Sequence, residues 1–280
     1  MLTASIVIYK TPLKQIEEVL KSIESNMVLT KLYIIDNFPT EENKRFFIDC
    51  KLTNMIEYIP HDNTGYGSSH NIALYSAIEM GSDYHVVLNP DIYFGKNVLQ
   101  DLISYMDSNK DVGYILPKVI YPNGELQYLC KLLPTPFDLI FRRFLPKTRW
   151  IIRHNERYEL RHSGYNTIIN PPCLSGCFMF MRLSTLKEYN LFFDDKYFMY
   201  CEDFDLIRRI HRVAKTIYYP KVCIVHNHEK ASYKNRKMLI THIKSAIRYF
   251  NKYGWFFDKE RMIMNKRILS EIHETNSNNS

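Results

Sequence analysis

Residues 84–91 read YHVVLNPD, an apolar run (84–88) that stops at Asn89-Pro90-Asp91. Short apolar runs bounded by turn residues are typical of buried strands. The pattern recurs on both sides of this stretch, with helix-like segments between the runs. The other strand-like runs of the first half are residues 4–9, 32–35, 55–59 and 112–116. This alternation predicts an α/β fold whose central sheet is mostly parallel and is covered by helices on both faces.

Small and polar residues follow the ends of these predicted strands. They are Tyr9 and Lys10, Asp36 and Asn37, residues 61–67, and Asn89 with Asp91. Because ligands of open α/β sheets bind beyond the carboxyl ends of the strands, we expect the binding site at this edge. Gly65 and Gly67 form half of a dinucleotide fingerprint, but His70 stands at its third glycine position. The motif is therefore weak support for NAD, and its glycines are better explained by close passage of the backbone beside a ligand.

The composition excludes several classes of protein. The chain has 280 residues, of which 46% are hydrophobic and 24% charged, so it is neither a mostly disordered chain, a collagen-like fibre nor a coiled-coil rod. No run of about 18 apolar residues predicts a membrane-spanning helix, and we expect no secretory signal. Without a CxxC pair, the 6 cysteines are expected to be reduced. A zinc site built from Cys173, Cys177, His226 and His228 is the alternative.

The charge distribution indicates a polyanionic partner. The net charge is +7, and residues 208–270 hold 16 Lys and Arg against 3 Asp and Glu. Such asymmetry is typical of proteins that bind a membrane surface, a nucleic acid or a phosphate-rich ligand. Within this basic region, Leu239, Ile243, Ala246 and Phe250 recur at helical spacing. This apolar stripe either inserts into an anionic bilayer, with support from Trp255, Phe256 and Phe257, or packs on the catalytic domain.

Two segments contain candidate chemical groups. Asn89 and Asp91 leave a predicted strand at positions i and i+2, which suits an Mg²⁺ or Mn²⁺ ion on a diphosphate but is also ordinary turn chemistry. Residues 193–206 place 5 carboxylates among aromatic residues. Glu202 and Asp203, at a predicted helix start, suit a general base in a partly dry site, and helix capping is the alternative. His226 follows the strand-like run 222–225, where a neutral imidazole suits a metal site.

Together, these segments resemble bacterial family 2 glycosyltransferases of the GT-A fold, in the rhamnosyltransferase-like branch. The matching segments are 5–9 (SIVIY), 34–37 (IIDN), 63–71 (NTGYGSSHN), 88–91 (LNPD), 175–178 (SGCF), 198–206 (FMYCEDFDL) and 226–232 (HNHEKAS). They span nearly the whole chain. The resemblance implies a Rossmann-like, mostly parallel sheet flanked by helices, a small acceptor-side subdomain and C-terminal helices.

The resemblance also implies a division of the chain. Residues 1–118 would form the nucleotide-sugar-binding half and residues 119–232 the acceptor-binding and catalytic half of the same domain. Residues 233–272 would form basic amphipathic helices, and residues 273–280 a disordered tail.

Specific roles follow for the matching residues. Asp203 is the expected catalytic base, with Glu202 positioning the base or the acceptor. Asp91 and His226 are the expected ligands of Mn²⁺ or Mg²⁺. The nucleotide-sugar site is expected to comprise Tyr9, Asp36, Asn63, Gly65, Gly67, Asn89, Asp91 and Gly176. Many GT-A enzymes have Asp where this chain has Asn89, which suggests weaker metal binding through one carboxylate.

The implied reaction is inverting transfer of a sugar from a nucleotide-diphosphate donor to a saccharide acceptor. The branch favours dTDP-rhamnose, and a UDP-hexose such as UDP-galactose is the alternative donor. The expected acceptor is lipid-linked, for O-antigen lipopolysaccharide, capsule or another cell-surface polysaccharide. The expected location is cytoplasmic, peripheral to the inner face of the cell membrane through the basic C-terminal region.

Other classes of protein fit the sequence less well. A nucleic-acid-binding protein is disfavoured because no known motif is present and because the carboxylate cluster repels phosphate. A nucleotidyltransferase would have a glycine-rich basic loop after the first strand, where this chain has Tyr9-Lys10-Thr11-Pro12. A catalytically idle GT-A scaffold is disfavoured because Asp91, Glu202, Asp203 and His226 are all present.

Overall fold

The computed structural model describes residues 1–142, 145–146, 148–227 and 236–278. Within these ranges, eight strands form one sheet in the order β3-β2-β1-β4-β7-β6-β8-β5. The strands are β1 (Leu2–Ile8), β2 (Leu29–Asp36), β3 (Ile56–Pro60), β4 (Tyr84–Leu88), β5 (Ile92–Phe94), β6 (Val112–Ile120), β7 (Phe178–Arg182) and β8 (Lys215–His226).

Strand direction divides the sheet into two parts. The strands β3, β2, β1 and β4 are parallel, as the alternation of strands and helices predicts. Next to them, β7 runs antiparallel to both β4 and β6, whereas β6 and β8 are parallel. The sheet is therefore mixed but mostly parallel, and the expected fold class is confirmed. Since β6 pairs with β7 and β8, the two expected halves of the domain share one continuous sheet.

Helices cover the sheet and extend beyond it. The helices of the α/β part are α1 (Leu13–Asn26), α2 (Glu41–Asp49), α3 (Tyr66–Glu79), α4 (Val98–Ser108), α5 (Arg149–Tyr158), α6 (Leu183–Glu188) and α7 (Glu202–His211). The C-terminal helices are α8 (Arg236–Tyr253) and α9 (Lys259–Asn278). The segment before α5 contains a short helical turn, Phe137–Phe141.

Two local expectations need correction. The strand-like run 222–225 is only the end of one long strand, β8, whose register shifts between the pairs Pro117–Tyr219 and Lys118–Cys223. That irregularity interrupts the apolar pattern without ending the strand. In addition, residues 273–278, expected within a disordered tail, continue α9, where the hydroxyl of Thr275 donates to the backbone carbonyl of Glu271.

The apolar stripe of α8 packs on the protein. Ala246 and Phe250 are completely buried, in a cluster with Leu139, Tyr197 and Cys201. Of the two interpretations of this stripe, packing on the catalytic domain therefore holds for its C-terminal half. None of the described helices is long and apolar enough to cross a membrane.

Candidate active site

The loop after β4 brings Asp91 next to His226. Asp91 immediately precedes β5, and β5 pairs with the end of β8 so that Ile92 lies opposite His226. As a result, Oδ1 of Asp91 lies 3.4 Å from Nε2 of His226. The two residues expected to bind a metal therefore face one another, although 135 positions separate them in the chain.

Gln127, which the sequence analysis did not single out, fixes the His226 ring. The turn at residues 121–124 returns the chain beside β6 and β8. The side chain of Gln127 is buried; its Nε2 donates to the backbone carbonyl of His226 (2.7 Å), and its Oε1 lies 3.0 Å from Nδ1 of the ring. Since Oε1 is an acceptor, Nδ1 carries the proton and Nε2 is directed at Asp91. A lone glutamine after a turn gives no sequence signal for this role.

The charge on this pair depends on its surroundings. Burial lowers the pKa of the His226 ring, but the neighbouring Cys177 sulfur and the Asp91 carboxylate outweigh this effect and raise that pKa to about 10. Without a cation, His226 is therefore protonated at neutral pH and pairs with the Asp91 carboxylate. A bound cation would take the place of that proton, because a ligating imidazole is neutral.

A carboxylate and an imidazole that face each other suit Mn²⁺ or Mg²⁺ when phosphate and water supply the remaining ligands. In the part of the chain that the structure describes, no three His, Cys, Asp or Glu side chains converge as a metal-binding group. The zinc alternative with Cys173 and Cys177 is therefore absent from the described residues, and His228 lies outside them.

The second part of the site is the start of α7. Oδ2 of Asp203 accepts the backbone N–H of Gly176 at 2.9 Å, and Oδ1 accepts the backbone N–H of Phe204, also at 2.9 Å. These two bonds fix the plane of the carboxylate. Each oxygen keeps a further lone pair for another donor.

Burial perturbs both acids at this helix start. It raises the pKa of Asp203 above its ordinary value, against the opposing effect of the backbone donors at Gly176 and Phe204. The pKa of Glu202 lies well above the usual range, because its carboxyl is buried and lies beside Asp203. One oxygen of Glu202, Oε2, has no hydrogen-bond partner among the described residues. A neutral Glu202 next to a charged Asp203 is the arrangement that costs the least free energy here.

Tyr66 connects the two parts of the site. Its hydroxyl lies 2.9 Å from Oδ1 of Asn89 and 3.0 Å from the carbonyl oxygen of Gly176. The backbone N–H of Asn89 also donates to the backbone carbonyl of Cys177, the residue after Gly176. The loop that carries Asp91 and the segment that binds Asp203 are therefore directly joined. Asp91 and Asp203 are thus linked through Asn89, Tyr66 and Gly176.

The glycine motif before α3 has a packing role. Gly65 has a φ of 113°, and a Cβ there would lie 2.4 Å from the backbone oxygen of Phe198. Tyr66, the next residue, donates its backbone N–H to that same oxygen. The motif thus holds the segment of residues 193–206 against α3. Gly67 likewise packs against Phe193, whereas Asn63 is exposed.

The remaining expected donor-site residues lie at the ends of β1 and β2. Tyr9 is half-exposed, and its ring meets the Phe38 ring edge-on at 5.9 Å. Asp36 is completely buried, and its carboxylate accepts bonds from the Phe38 backbone N–H (2.9 Å), the Asn43 amide (2.8 Å) and the Tyr58 hydroxyl (2.7 Å). The structure thus gives Asp36 a clear structural role, and its expected contact with the nucleotide base stays a prediction.

Asp205 belongs to the fold and not to the site. It is completely buried, pairs with Arg209 (2.8 Å) and Lys252 (2.6 Å), and accepts the Tyr253 hydroxyl at 2.7 Å. These contacts hold α8 against α7. Asp205 thus serves the packing of α8 on α7 and does not cap the helix, whose N-cap residue makes no side-chain hydrogen bond.

Comparisons with known proteins agree with this geometry. No family model matches the chain. Rhamnosyltransferase WbbL of Escherichia coli K12 is 26% identical over 272 residues, which cover 92% of this chain and 94% of that protein. An N-acetylglucosaminyl-diphospho-decaprenol L-rhamnosyltransferase of Mycobacterium tuberculosis is 25% identical over 181 residues, 59% of this chain and 56% of that one.

Solved structures show the same fold. The crystal structure of Staphylococcus aureus TarS 1–349 has a TM-score of 0.54 at 14% identity and covers 91% of this chain and 74% of its own. The crystal structure of GalNAc-T7 with UDP, GalNAc and Mn²⁺ has a TM-score of 0.61 at 12% identity. The match covers 88% of this chain and 47% of the GalNAc-T7 chain. These similarities confirm the GT-A fold and the resemblance to rhamnosyltransferase-like family 2 proteins.

Proposed function

We propose that this chain, a rhamnosyltransferase-like protein with the GT-A fold, transfers rhamnose from a nucleotide-diphosphate donor to a lipid-linked saccharide during synthesis of a bacterial surface polysaccharide. The direct link between the Asp91 loop and Asp203 through Tyr66 carries this proposal. The names of the two curated relatives favour rhamnose, and the name of the mycobacterial one favours a lipid-diphosphate saccharide as the acceptor.

Asp91 and His226 are the residues that would hold a divalent cation, Mn²⁺ or Mg²⁺, with the diphosphate of the donor. Such a cation, when bound, neutralises the charge that develops on the leaving diphosphate. GalNAc-T7, which shares the fold, was solved with Mn²⁺. Tyr9, Asn63 and the backbone beside Gly176 line the same sheet edge and would contact the nucleotide and the sugar.

Asp203 is positioned to act as the base. It removes the proton from a hydroxyl of the acceptor while that oxygen attacks the anomeric carbon of the donor. The bond from that carbon to the diphosphate oxygen breaks at the same time, and the electron pair leaves with the nucleoside diphosphate. This single displacement inverts the anomeric configuration. Glu202, kept neutral by burial, leaves Asp203 as the charged member of the pair.

A UDP-hexose donor is the second candidate, because a few side chains in the sugar site decide between sugars. The nucleic-acid alternative loses support. Several cations of the basic C-terminal region are used inside the fold, in ion pairs formed by Arg208, Arg209, Arg212, Lys215 and Lys252.

A donor screen tests the proposal. The purified chain is incubated with Mn²⁺ and dTDP-rhamnose, UDP-galactose or UDP-N-acetylglucosamine, and thermal shift reports binding. Product analysis with a lipid-diphosphate saccharide acceptor then identifies the sugar transferred and its anomeric configuration. We expect stabilisation and transfer with dTDP-rhamnose and loss of transfer in Asp203→Asn. Transfer of another sugar would replace rhamnose in the proposal, and a retained configuration would reject Asp203 as the base of a single displacement.

A further inference from the structure

One surface of the protein exposes large apolar side chains that the fold does not use. Phe256 and Phe257, between α8 and α9, are 77% and 95% exposed, and Trp150 at the start of α5 is 61% exposed. Met262 and Ile263 in the first turns of α9 are 66% and 68% exposed. We call the surface formed by α5, residues 255–258 and the first half of α9 the α5–α9 surface.

Hydrogen bonds and ring contacts place these side chains in one region. The guanidinium of Arg261 donates to the backbone oxygen of Phe256 (3.1 Å) and to that of Pro134 (3.4 Å). Three residues after Pro134, the Phe137 ring meets the Trp150 ring edge-on at 5.3 Å. Residues 134–137 therefore link the segment that carries the exposed phenylalanines to the exposed tryptophan.

Cations without ion-pair partners surround this patch. Each of them is exposed and forms no ion pair with another described residue, in contrast to the paired cations that hold α7, α8 and α9 together. They are Arg149, Arg153, Arg157, Lys259 and Lys266. Arg157 and Lys266 also line an open groove of about 690 Å³ between α5 and α9, together with Met262 and Leu269.

The C-terminal half of the apolar stripe of α8 is not available for the same purpose. Ala246 and Phe250 are completely buried against the catalytic domain. In α9, Ile268 and Ile272 are buried as well, so that helix rests on the protein through one face and exposes Met262 and Ile263 on another. Other exposed apolar side chains, among them Met27, Ile48 and Ile240, lie outside the α5–α9 surface.

We propose that the α5–α9 surface docks the enzyme on an anionic lipid bilayer. Exposed aromatic side chains insert at the level of the headgroups, and the unpaired cations contact the lipid phosphates. A nucleic acid or an acidic protein would match the cations but would leave five large apolar side chains in water. The combination of both features favours a bilayer.

The surface is connected to the catalytic residues. Lys131 lies close enough to Asp203 to lower the pKa of that carboxyl, and its ammonium lies 5.8 Å from the Phe204 ring. Residues 131–137 then run to the patch. There the backbone N–H of Leu133 donates to Oδ1 of Asn265 (2.8 Å), and Nδ2 of Asn265 donates to the backbone carbonyl of Leu133 (3.0 Å). A lipid-linked acceptor held at the α5–α9 surface would thus reach Asp203 along this segment. This step rests on the proposed function, whereas the docking itself does not.

Vesicle flotation tests the docking. The full chain is mixed with phosphatidylcholine vesicles with and without phosphatidylglycerol. We expect co-flotation with the anionic vesicles and a fall of about tenfold or more in binding for Arg149→Gln/Arg153→Gln. Phe256→Ser/Phe257→Ser should weaken binding by a similar factor. The matched controls, Lys14→Gln/Lys21→Gln on α1 and Met27→Ser/Ile48→Ser at the end of α1 and in α2, should float like the wild type.

Two results would overturn this docking surface. One is failure of the wild type to float with anionic vesicles, and the other is equal binding by all four variants. A change in sedimentation of the Phe256→Ser/Phe257→Ser variant without a change in flotation would assign the patch to a protein interface instead. Transfer to a water-soluble acceptor analogue is measured in parallel. It should be unchanged in the surface variants, and its absence in the wild type would count against the proposed function alone.

Discussion

The backbone N–H of Gly176 donates to Oδ2 of Asp203 at 2.9 Å, and a Cβ on residue 176 would lie 2.7 Å from the Cβ of Asp203. Real Cβ atoms do not come so close to another carbon. The glycine is therefore the residue that allows the expected base to reach its backbone donor. Because Tyr66 also bonds the carbonyl of Gly176, the same peptide segment positions both parts of the site.

Gly176→Ala should lower the rate of transfer by about 100-fold, because the added methyl group displaces the Asp203 carboxylate from the acceptor hydroxyl. Steady-state kinetics should show the loss in kcat, with a smaller change in the KM for the donor. Gly95→Ala is the matched control, since no atom lies within 4 Å of a Cβ at that position. Equal kcat values for both variants would contradict this account of Gly176.

The pH dependence of transfer should follow Asp203. Burial raises the pKa of this carboxyl above its ordinary value of 3.8, and the base acts only when it is deprotonated. Activity should therefore fall as the pH decreases through that raised pKa, which places the acid limb of the kcat profile above pH 3.8. Asp203→Asn should lose about 100-fold or more of kcat and show no acid limb, while donor binding by calorimetry persists.

Glu202→Gln separates the two acids. Because Glu202 is expected to be neutral, glutamine should preserve the acid limb of the kcat profile. If the limb disappeared in Glu202→Gln and persisted in a residual activity of Asp203→Asn, the two roles would have to be exchanged.

Gln127→Leu should weaken Mn²⁺ binding by about 10–100-fold, because the His226 ring loses the partner that fixes its Nδ1 proton. Electron paramagnetic resonance of free Mn²⁺ measures this affinity in the presence of a nucleoside diphosphate and needs no turnover. Gln100→Leu, at an exposed position of α4, is the matched control. An unchanged Mn²⁺ affinity in Gln127→Leu would remove this residue from the metal site.

Arg208→Met should destabilise the protein by about 3–5 kcal/mol in free energy of unfolding, since it leaves the buried carboxylate of Asp258 without its cation. Arg208 is 1% exposed and bonds Asp258 at 2.7 Å and Glu260 at 2.6 Å. Arg267→Met is the control, because the Arg267–Glu271 pair is exposed and contributes less than about 1 kcal/mol. Urea unfolding measures both variants.

The cost of Arg208→Met should depend on pH. Burial opposes the shift, but Arg208 lowers the pKa of Asp258 below its ordinary value of 3.8, and Arg212 and Arg208 together lower the pKa of Glu260 below its ordinary value of 4.5. Carboxyls with a lowered folded pKa contribute stability above their unfolded pKa and lose it as the pH falls through the folded pKa. The difference between wild type and variant should therefore be full at neutral pH and shrink below about pH 4. A difference independent of pH would show that packing, not charge, dominates.

Several features of the site follow from local sequence. Apolar runs that end in Asp36 or Asn89-Pro90-Asp91 predict strands and therefore a shared ligand edge, and the turn at residues 121–124 predicts its hairpin. Gln127 could not be found in this way, since its role depends on the register that brings β8 beside the hairpin. Tyr66 was visible only as part of a glycine motif, because its two acceptors lie 23 and 110 positions away.

The class of fold, the sheet edge that carries the site and the types of group available there can be predicted from the amino-acid sequence, because they depend on periodicity and on residues close together in the chain. Three further features can be read only from the folded protein. They are the acid that stabilises helix packing, the cations that form ion pairs, and the apolar side chains that remain exposed. Asp205, Arg208 and Phe257 each have the same charge or hydropathy as a neighbouring residue, so the sequence alone does not distinguish them. Their burial and ion pairing differ because these depend on contacts between segments that are distant along the chain.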